Sequence, residues 1–404
     1  MTDLSFRPAC EADLDRLLDL HASAFPDPRG HAERRTNFCA NPLGSLGDLW
    51  VALRGDVIQA HAFLLPLRGW FGGVSLPVAG VATVGVAPEA RGTGVAAALL
   101  THLHGRADAS GAAILTLFAF RQGFYARHGY VATSPTRRLA LHPASIPVEW
   151  KNAGGVAVRG ANRSDREAIV AAYTRAAARG HGWMDRPTAL WDRRFANERR
   201  VWMIASRGER VTGYVSWALA QAESHTLTRL VVRDLAADDD ASRRALLAMV
   251  GAQRDQVAEV ELEIDARDPL DRALVDLDRG RFGTEAVEHP LGTLVGGPMV
   301  RLVDVARGLT ARRYASSGAV DMVIDGLAIR LTVPPDANGQ GVVTAPGTLT
   351  GPLAIGRAPL AAVLYGGLSV ADAARLGWAQ GDDATLARAD ALFASPPFFT
   401  LDAY

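Results

Sequence analysis

The chain has 404 residues, 49% of them apolar and 21% charged, which is enough for roughly two to four folded domains and does not read as a disordered polymer. Its 43 basic and 43 acidic residues cancel and no basic run stands out, which sets aside a nucleic-acid partner. The single lysine, Lys151 in Glu149-Trp150-Lys151-Asn152, suits neither a Schiff-base enzyme nor a P-loop, and Cys10 and Cys39 form neither a disulfide framework nor a Cys-rich zinc site.

In chain order, residues 4–8 read as a strand, and 11–21 as an acidic amphipathic helix in which Leu14, Leu17 and Leu18 recur at helical spacing. Residues 48–53 and 57–66 read as strands joined at Arg54-Gly55-Asp56, and 80–86 as a third. A helix over 94–109, a buried strand over 112–120 and a short helix ending at Gly129 complete a first segment, 1–148. The longest apolar stretch, near 111–120, is about ten residues, half a bilayer span. The start carries no basic region followed by an apolar one, so the expectation is a cytoplasmic protein with no membrane partner.

The second segment, 149–297, repeats the opening order weakly. Leu4-Ser5-Phe6-Arg7 then Glu11-Ala12-Asp13 is echoed by Val156-Ala157-Val158-Arg159 then Arg163-Ser164-Asp165. A helix over 165–179, strands over 202–206, 211–218 and 226–233, and a helix over 242–256 would follow, which suggests a duplicated domain of about 140 residues. Trp183, Trp191 and Trp202 read as core, and Asp238-Asp239-Asp240 as a solvated loop. The third segment, 298–404, has strands over 299–305, 319–324 and 327–333, then helices over 359–365, 369–377 and 383–393, an α+β pattern. Its aromatic end, 396–404, is expected to be docked.

The chemistry concentrates in Val84-Gly85-Val86-Ala87-Pro88-Glu89-Ala90-Arg91-Gly92-Thr93-Gly94-Val95-Ala96. A buried strand, a glycine-rich turn and a helix start would present unpaired backbone amides to a pyrophosphate. GxGxxG is absent, so a Rossmann site is excluded. His102 and His104, two apart on one helix, do not share a face, and no metal site is expected. Taken alone, the turn also fits a plain strand-to-helix connection, Tyr125 a packed aromatic and Tyr404 a hydrophobic plug.

At Arg91, Gly94 and Ala96, with Gly92 as an extra glycine, the run resembles the pyrophosphate motif of the GNAT superfamily, and Gly123-Phe124-Tyr125-Ala126-Arg127-His128-Gly129-Tyr130 resembles its aromatic segment. Over the whole length the plan resembles the Eis (enhanced intracellular survival) family of GNAT-superfamily N-acetyltransferases. The resemblance implies mixed α/β and α+β architecture: tandem GNAT domains, the second degenerate, then a sterol-carrier-protein-like α+β domain. It implies acetyl-CoA as cosubstrate, held by Val84, Val86, Arg91, Gly92, Thr93, Gly94 and Ala96, with no metal. Tyr125 would be the general acid and the α-carboxylate of Tyr404 the general base, while the amide of Val86 would polarise the thioester. Phe25, Asp27 and Asp402 are candidates for binding the acceptor, a primary amine of a bulky cationic aminoglycoside, peptide or lysine class. Transfer would be direct, and the assembly a homohexamer. Only Arg91 is basic where the family places a row of arginines, so cofactor grip would lean on backbone. A non-catalytic sensor or scaffold binding acyl-CoA or lipid is the alternative, and an enzyme preferring longer acyl groups is another.

Overall fold

The computed structural model describes residues 4–26, 28, 30–221, 228–274, 291–349 and 351–404. The first unit runs β1 (Leu4–Pro8), α1 (Leu14–Ala24), α2 (His31–Cys39), β2 (Leu49–Arg54), β3 (Val57–Phe71), β4 (Val74–Val86), α3 (Val95–Ala109), β5 (Ile114–Leu117), α4 (Gln122–Ala126) and β6 (Val131–Ala132). Leu14, Leu17, Leu18 and Leu20 of α1 are buried on one stripe, as their spacing requires. β3 and β4 are longer than the expected strands because Gly72 and Gly73, at φ 58° and 81°, turn one directly into the other and pair Phe71 with Val74.

The second unit contains β7 (Thr136–Leu141), β8 (Ala157–Gly160), α5 (Arg166–Arg179), β9 (Trp183–Met184), α6 (Thr188–Phe195), β10 (Val201–Arg207), β11 (Arg210–Gln221), β12 (Thr228–Ala237), α7 (Asp240–Gly251), β13 (Glu259–Asp265) and β14 (Thr293–Val295). The expected strand over 226–233 begins outside the described residues. Asp238 and Asp239 are not merely solvated: Asp238 pairs with Arg175 and Arg210, and Asp239 caps α7 and pairs with Arg207. After these come β15 (Met299–Leu302), α8 (Val305–Ala311), β16 (Gly318–Ile324), β17 (Leu327–Val333), β18 (Val342–Thr344), β19 (Leu353–Ile355), α9 (Arg357–Tyr365), α10 (Val370–Arg375), β20 (Ala379–Gln380) and α11 (Asp383–Phe393).

Among the described residues three sheets result, ordered β1-β2-β3-β4-β5-β15-β6, β14-β7-β13-β12-β11-β10-β8 and β18-β17-β16-β19-β20, and β9 adds to β3 of the first. The sheets do not follow the boundaries expected at 148/149 and 297/298. β7 leaves the first segment to pair with β13, and β15, expected in the third segment, pairs with β5 and β6. An edge on β5 would expose a row of unpaired amides, and β15 covers it. No helix among the described residues is long and apolar enough to cross a membrane.

The repeated opening is a shared construction. Arg7 clasps Asp13 at 2.6 and 2.8 Å while Asp13 accepts from the Cys10 amide at 2.8 Å; Arg159 clasps Asp165 at 2.7 and 2.8 Å while Asp165 accepts from the Asn162 amide at 2.8 Å. One carboxylate therefore joins β1 to the turn that starts α1, and another joins β8 to the turn that starts α5. The Arg7 hydrogen bond, followed by that of the Cys10 amide, holds the Asp13 carboxyl down at about 2 from its ordinary 3.8. A folded-state value below the unfolded one stabilises the fold above about pH 4, and this contribution is lost as pH falls toward 2. Asp13→Ala should cost about 1–2 kcal/mol in a denaturant melt at pH 7, shrinking toward zero near pH 2.

The three units and the tail meet at Phe71, whose ring lies 4.9 Å from His181, 5.0 Å from Tyr365 and 6.4 Å from Phe398. Phe399 donates its amide to the His181 carbonyl at 2.9 Å, so the tail is laid down along the second unit before it reaches the first.

Candidate active site

β4 and β5 run parallel and paired only from Val78 and Ile114 to Gly80 and Thr116; beyond these they part. The cause is visible in β4. The β3–β4 register slips between His61 and Phe63, and Thr83 sits at φ 48°, a left-handed conformation that is strained for a β-branched residue. The Ala87 amide bonds the Gln59 carbonyl at 2.8 Å, which makes Ala87 and Gln59 a hydrogen-bonded pair. Val86, opposite Ala60, is then in the alternate, non-bonded pair, and its N–H turns away from β3 into the gap.

After β4 a 3-10 turn at Pro88–Ala90 leads through Gly92, φ 78°, and Gly94, φ 85°, into α3. A Cβ on either glycine would meet no heavy atom within 4 Å, so both stand open to the cleft. The first amides of α3 have no partner in the preceding turn and carry the positive end of the helix dipole. Arg91 braces the turn, donating Nη2 to the Ser23 carbonyl at 3.1 Å and Nε to the Val86 carbonyl at 3.4 Å. Thr93 departs from its expected place: its hydroxyl is turned back onto the Ala90 carbonyl at 2.7 Å and closes the turn, outside the cleft lining.

A cleft of about 690 Å³ brings Val84, Val86, Arg91, Gly92, Gly94 and Ala96 together with Tyr125. It also gathers Phe120, Arg121, Phe124 and Arg127, which sequence reasoning did not single out. The signal was present, since Arg121 and Arg127 flank Tyr125 and supply the cations missing beside Arg91.

Tyr125 lies at the end of α4, 3% exposed, with Phe124 at 5.0 Å and Tyr130 at 5.9 Å, both edge-on. Burial pushes its hydroxyl up to about 12, so it carries its proton through the neutral range. Tyr130 is supported in turn by His104 Nε2, 3.2 Å from its hydroxyl. Burial, with Arg301 and His128 nearby, brings His104 down to about 3 and keeps it neutral. Arg301 comes from β15 and donates Nε to the His128 carbonyl at 3.0 Å. The exchanged strand thus braces the loop that holds Tyr125.

Tyr404 enters the gap from the other side. Its ring is edge-on to Phe118 at 5.4 Å, and a Cβ on Gly80 would come within 3.1 Å of it. A side chain there would press on the ring and, at 2.5 Å, on Leu67. Asp402 departs from the expected acceptor contact. It is 4% exposed and its carboxylate is already engaged by Arg186, Arg194 and Tyr173, which leaves it an anchor of the tail. Phe25 ends α1, 4.6 Å from the His21 ring, with its carbonyl bonded by Arg34 at 2.9 Å; Asp27 lies outside the described residues. Among the described residues no group of three or more His, Cys, Asp or Glu side chains is placed to hold a metal ion.

Residues 5–132 and 182–302 each match a family described as an acetyltransferase (GNAT) domain. The chain is similar to N-acetyltransferase Eis of Mycobacterium tuberculosis, with 29% identity over 281 residues, 65% of this chain and 64% of that protein. The match therefore spans a little under two thirds of that relative's length. In fold the chain is similar to a GCN5-related N-acetyltransferase from Anabaena variabilis, with TM-score 0.84, 21% identity and 100% of both chains covered. It is likewise similar to Eis1 from Mycobacterium abscessus, with TM-score 0.74, 22% identity and 100% of both chains covered.

Proposed function

Because the chain belongs to the Eis family of GNAT-superfamily proteins, we propose that it is an acetyl-CoA-dependent N-acetyltransferase working in the gap between β4 and β5. The observation that carries this reading is the single cleft that joins the glycine turn, the inward amide of Val86 and the protonated Tyr125. The pyrophosphate of the cosubstrate would lie over Gly92, Gly94 and the start of α3, with Arg91, Arg121 and Arg127 answering its phosphates. The thioester would then enter the gap, its carbonyl accepting from Val86.

The acceptor is a primary amine of a bulky cationic molecule, aminoglycoside-like or a peptide or lysine amine. Phe118 and Phe120, 41% and 77% exposed, offer an ammonium ring faces at the mouth of the gap. The ammonium loses one proton to the Tyr404 carboxylate, and the free amine attacks the thioester carbon and forms the C–N bond. The C–S bond then breaks, Tyr125 donates its proton to the departing thiolate, and the phenolate so formed takes the second proton from the new amide nitrogen, while the Tyr404 carboxyl returns its proton to water. Transfer is direct, since neither Cys10 nor Cys39 lines the cleft. On the same family likeness the third unit is read as a sterol-carrier-like domain that delivers the tail, the assembly as a homohexamer and the setting as the cytoplasm.

Gly94→Val tests the cradle: a side chain at φ 85° strains the turn and fills the space over the helix start. Titration calorimetry should show acetyl-CoA affinity falling about tenfold or more. Unchanged affinity would remove the phosphates from this turn. Acceptor-dependent release of CoA thiol tests the activity itself.

A further inference from the structure

The second unit keeps the bulged, parting strands of the first but fills the gap differently. β12 pairs with β13 only from Arg229 and Glu259 to Val231 and Glu261, and the β11–β12 register slips beside Asp234. Asp234 stands at the same place in its strand, relative to the end of β12, as Thr83 does in β4. Into this second gap come Arg186, Arg194 and, from the far end of the chain, Asp402.

Arg186 donates Nε to both oxygens of Asp402 at 3.0 Å and its two terminal nitrogens to Asp234 at 2.5 and 3.1 Å. Arg194 bonds the same two carboxylates at 3.0 and 2.5 Å. The Tyr173 hydroxyl lies 2.7 Å from the Met184 carbonyl and 3.2 Å from Asp402, bridging the two, and the Tyr214 hydroxyl donates to Asp234 at 2.9 Å. The side chains of Arg186, Asp234 and Asp402 are 1%, 0% and 2% exposed. Two cations and two anions thus pair in a site where all but Arg194, 13% exposed, are nearly fully buried; there a mismatched carboxylate is costly and a matched one has a single seat.

We infer that Arg186, Arg194, Asp234 and Tyr173 are positioning residues for transfer: the second unit uses its own gap as an ionic clamp on Asp402 and so sets Tyr404, two residues on, in the gap of the first. The inference rests on the proposed reaction site. It gives the degenerate unit a part in chemistry whose reacting atoms it never touches. It also explains why the tail carries an aspartate in an otherwise apolar aromatic run.

The test uses the full chain with Arg194→Gln, Tyr173→Phe and Arg194→Lys, chosen because Arg186 and Asp234 are so deeply buried that their variants risk failing to fold. Two readouts are taken: hydrogen exchange of the peptide spanning 396–404, and kcat and KM for acetyl-CoA in thiol release. For Arg194→Gln we expect tail exchange about tenfold faster or more and kcat about 10- to 100-fold lower, with KM for acetyl-CoA within about twofold. Tyr173→Phe moves both in the same direction by less, and Arg194→Lys restores part of each. Unchanged tail exchange overturns the inference whatever kcat does. Faster exchange with unchanged kcat overturns it too, since the tail would be held for something other than transfer. An unsubstituted protein without turnover overturns the acetyltransferase reading instead, while tail exchange still reports the clamp.

Discussion

Tyr125→Phe lowers kcat about 10²- to 10⁴-fold while leaving acetyl-CoA affinity nearly unchanged, because it deletes one proton and keeps the ring packing. The expectation follows from burial. The ring is 3% exposed and braced edge-on by Phe124 and Tyr130, so phenylalanine fills the same space. The hydroxyl, pushed up to about 12, stays protonated across the working range, so Tyr125 contributes no falling alkaline limb below about pH 11. The rate of the unsubstituted protein therefore rises with pH as the acceptor amine deprotonates and then levels off. The variant follows the same curve at a lower height. A pH profile of kcat beside calorimetric acetyl-CoA binding checks this. A loss confined to binding would make Tyr125 a cofactor contact, and no loss at all would make it a packed aromatic.

The second large effect is at the tail. A chain carrying a few residues after Tyr404 should lose about 10²-fold or more in kcat, because the proposed base becomes an amide that accepts no proton. The ring of Tyr404 can remain against Phe118 and Gly80 in that variant, so acetyl-CoA binding and melting temperature should stay close to those of the parent. Tyr404→Phe is the matching control. It keeps the carboxylate and the ring and should retain most of the activity. Full activity in the extended chain would reduce Tyr404 to a hydrophobic plug and leave the base to a water-borne route.

Much of the first unit is legible in the sequence because its signals are local. The leucines of α1, the glycines at Gly92 and Gly94 and the aromatic segment around Tyr125 each state their local structure within a few residues. The long β3–β4 hairpin is less legible, since Gly69, Gly72 and Gly73 are three glycines in five residues and only two of them form the turn. The bulge at Thr83 leaves no compositional mark, yet it opens the gap.

What the sequence hides is contact between distant segments. Residues 136–141 carry no element in the sequence reading and β15 reads as a strand of its own segment, and nothing in Thr136–Leu141 or Met299–Leu302 says that each will complete a neighbour's sheet. Asp402 is expected to contact the acceptor; only folding brings it instead to Arg186 and Arg194, more than two hundred residues earlier. A buried ion network is assembled from residues whose separation in the chain carries no period, and pattern reading has no access to it.

The central claim, that acetyl transfer to an amine occurs in the first unit's gap, is tested most directly by release of CoA thiol from acetyl-CoA. The panel holds aminoglycosides, polyamines and lysine-containing peptides, run with the unsubstituted protein and with Tyr125→Phe side by side. Saturable, acceptor-dependent release that falls about 10²-fold or more in the variant is the predicted result. Tight acetyl-CoA binding with no thiol released for any amine would contradict it and make the protein an acyl-CoA sensor.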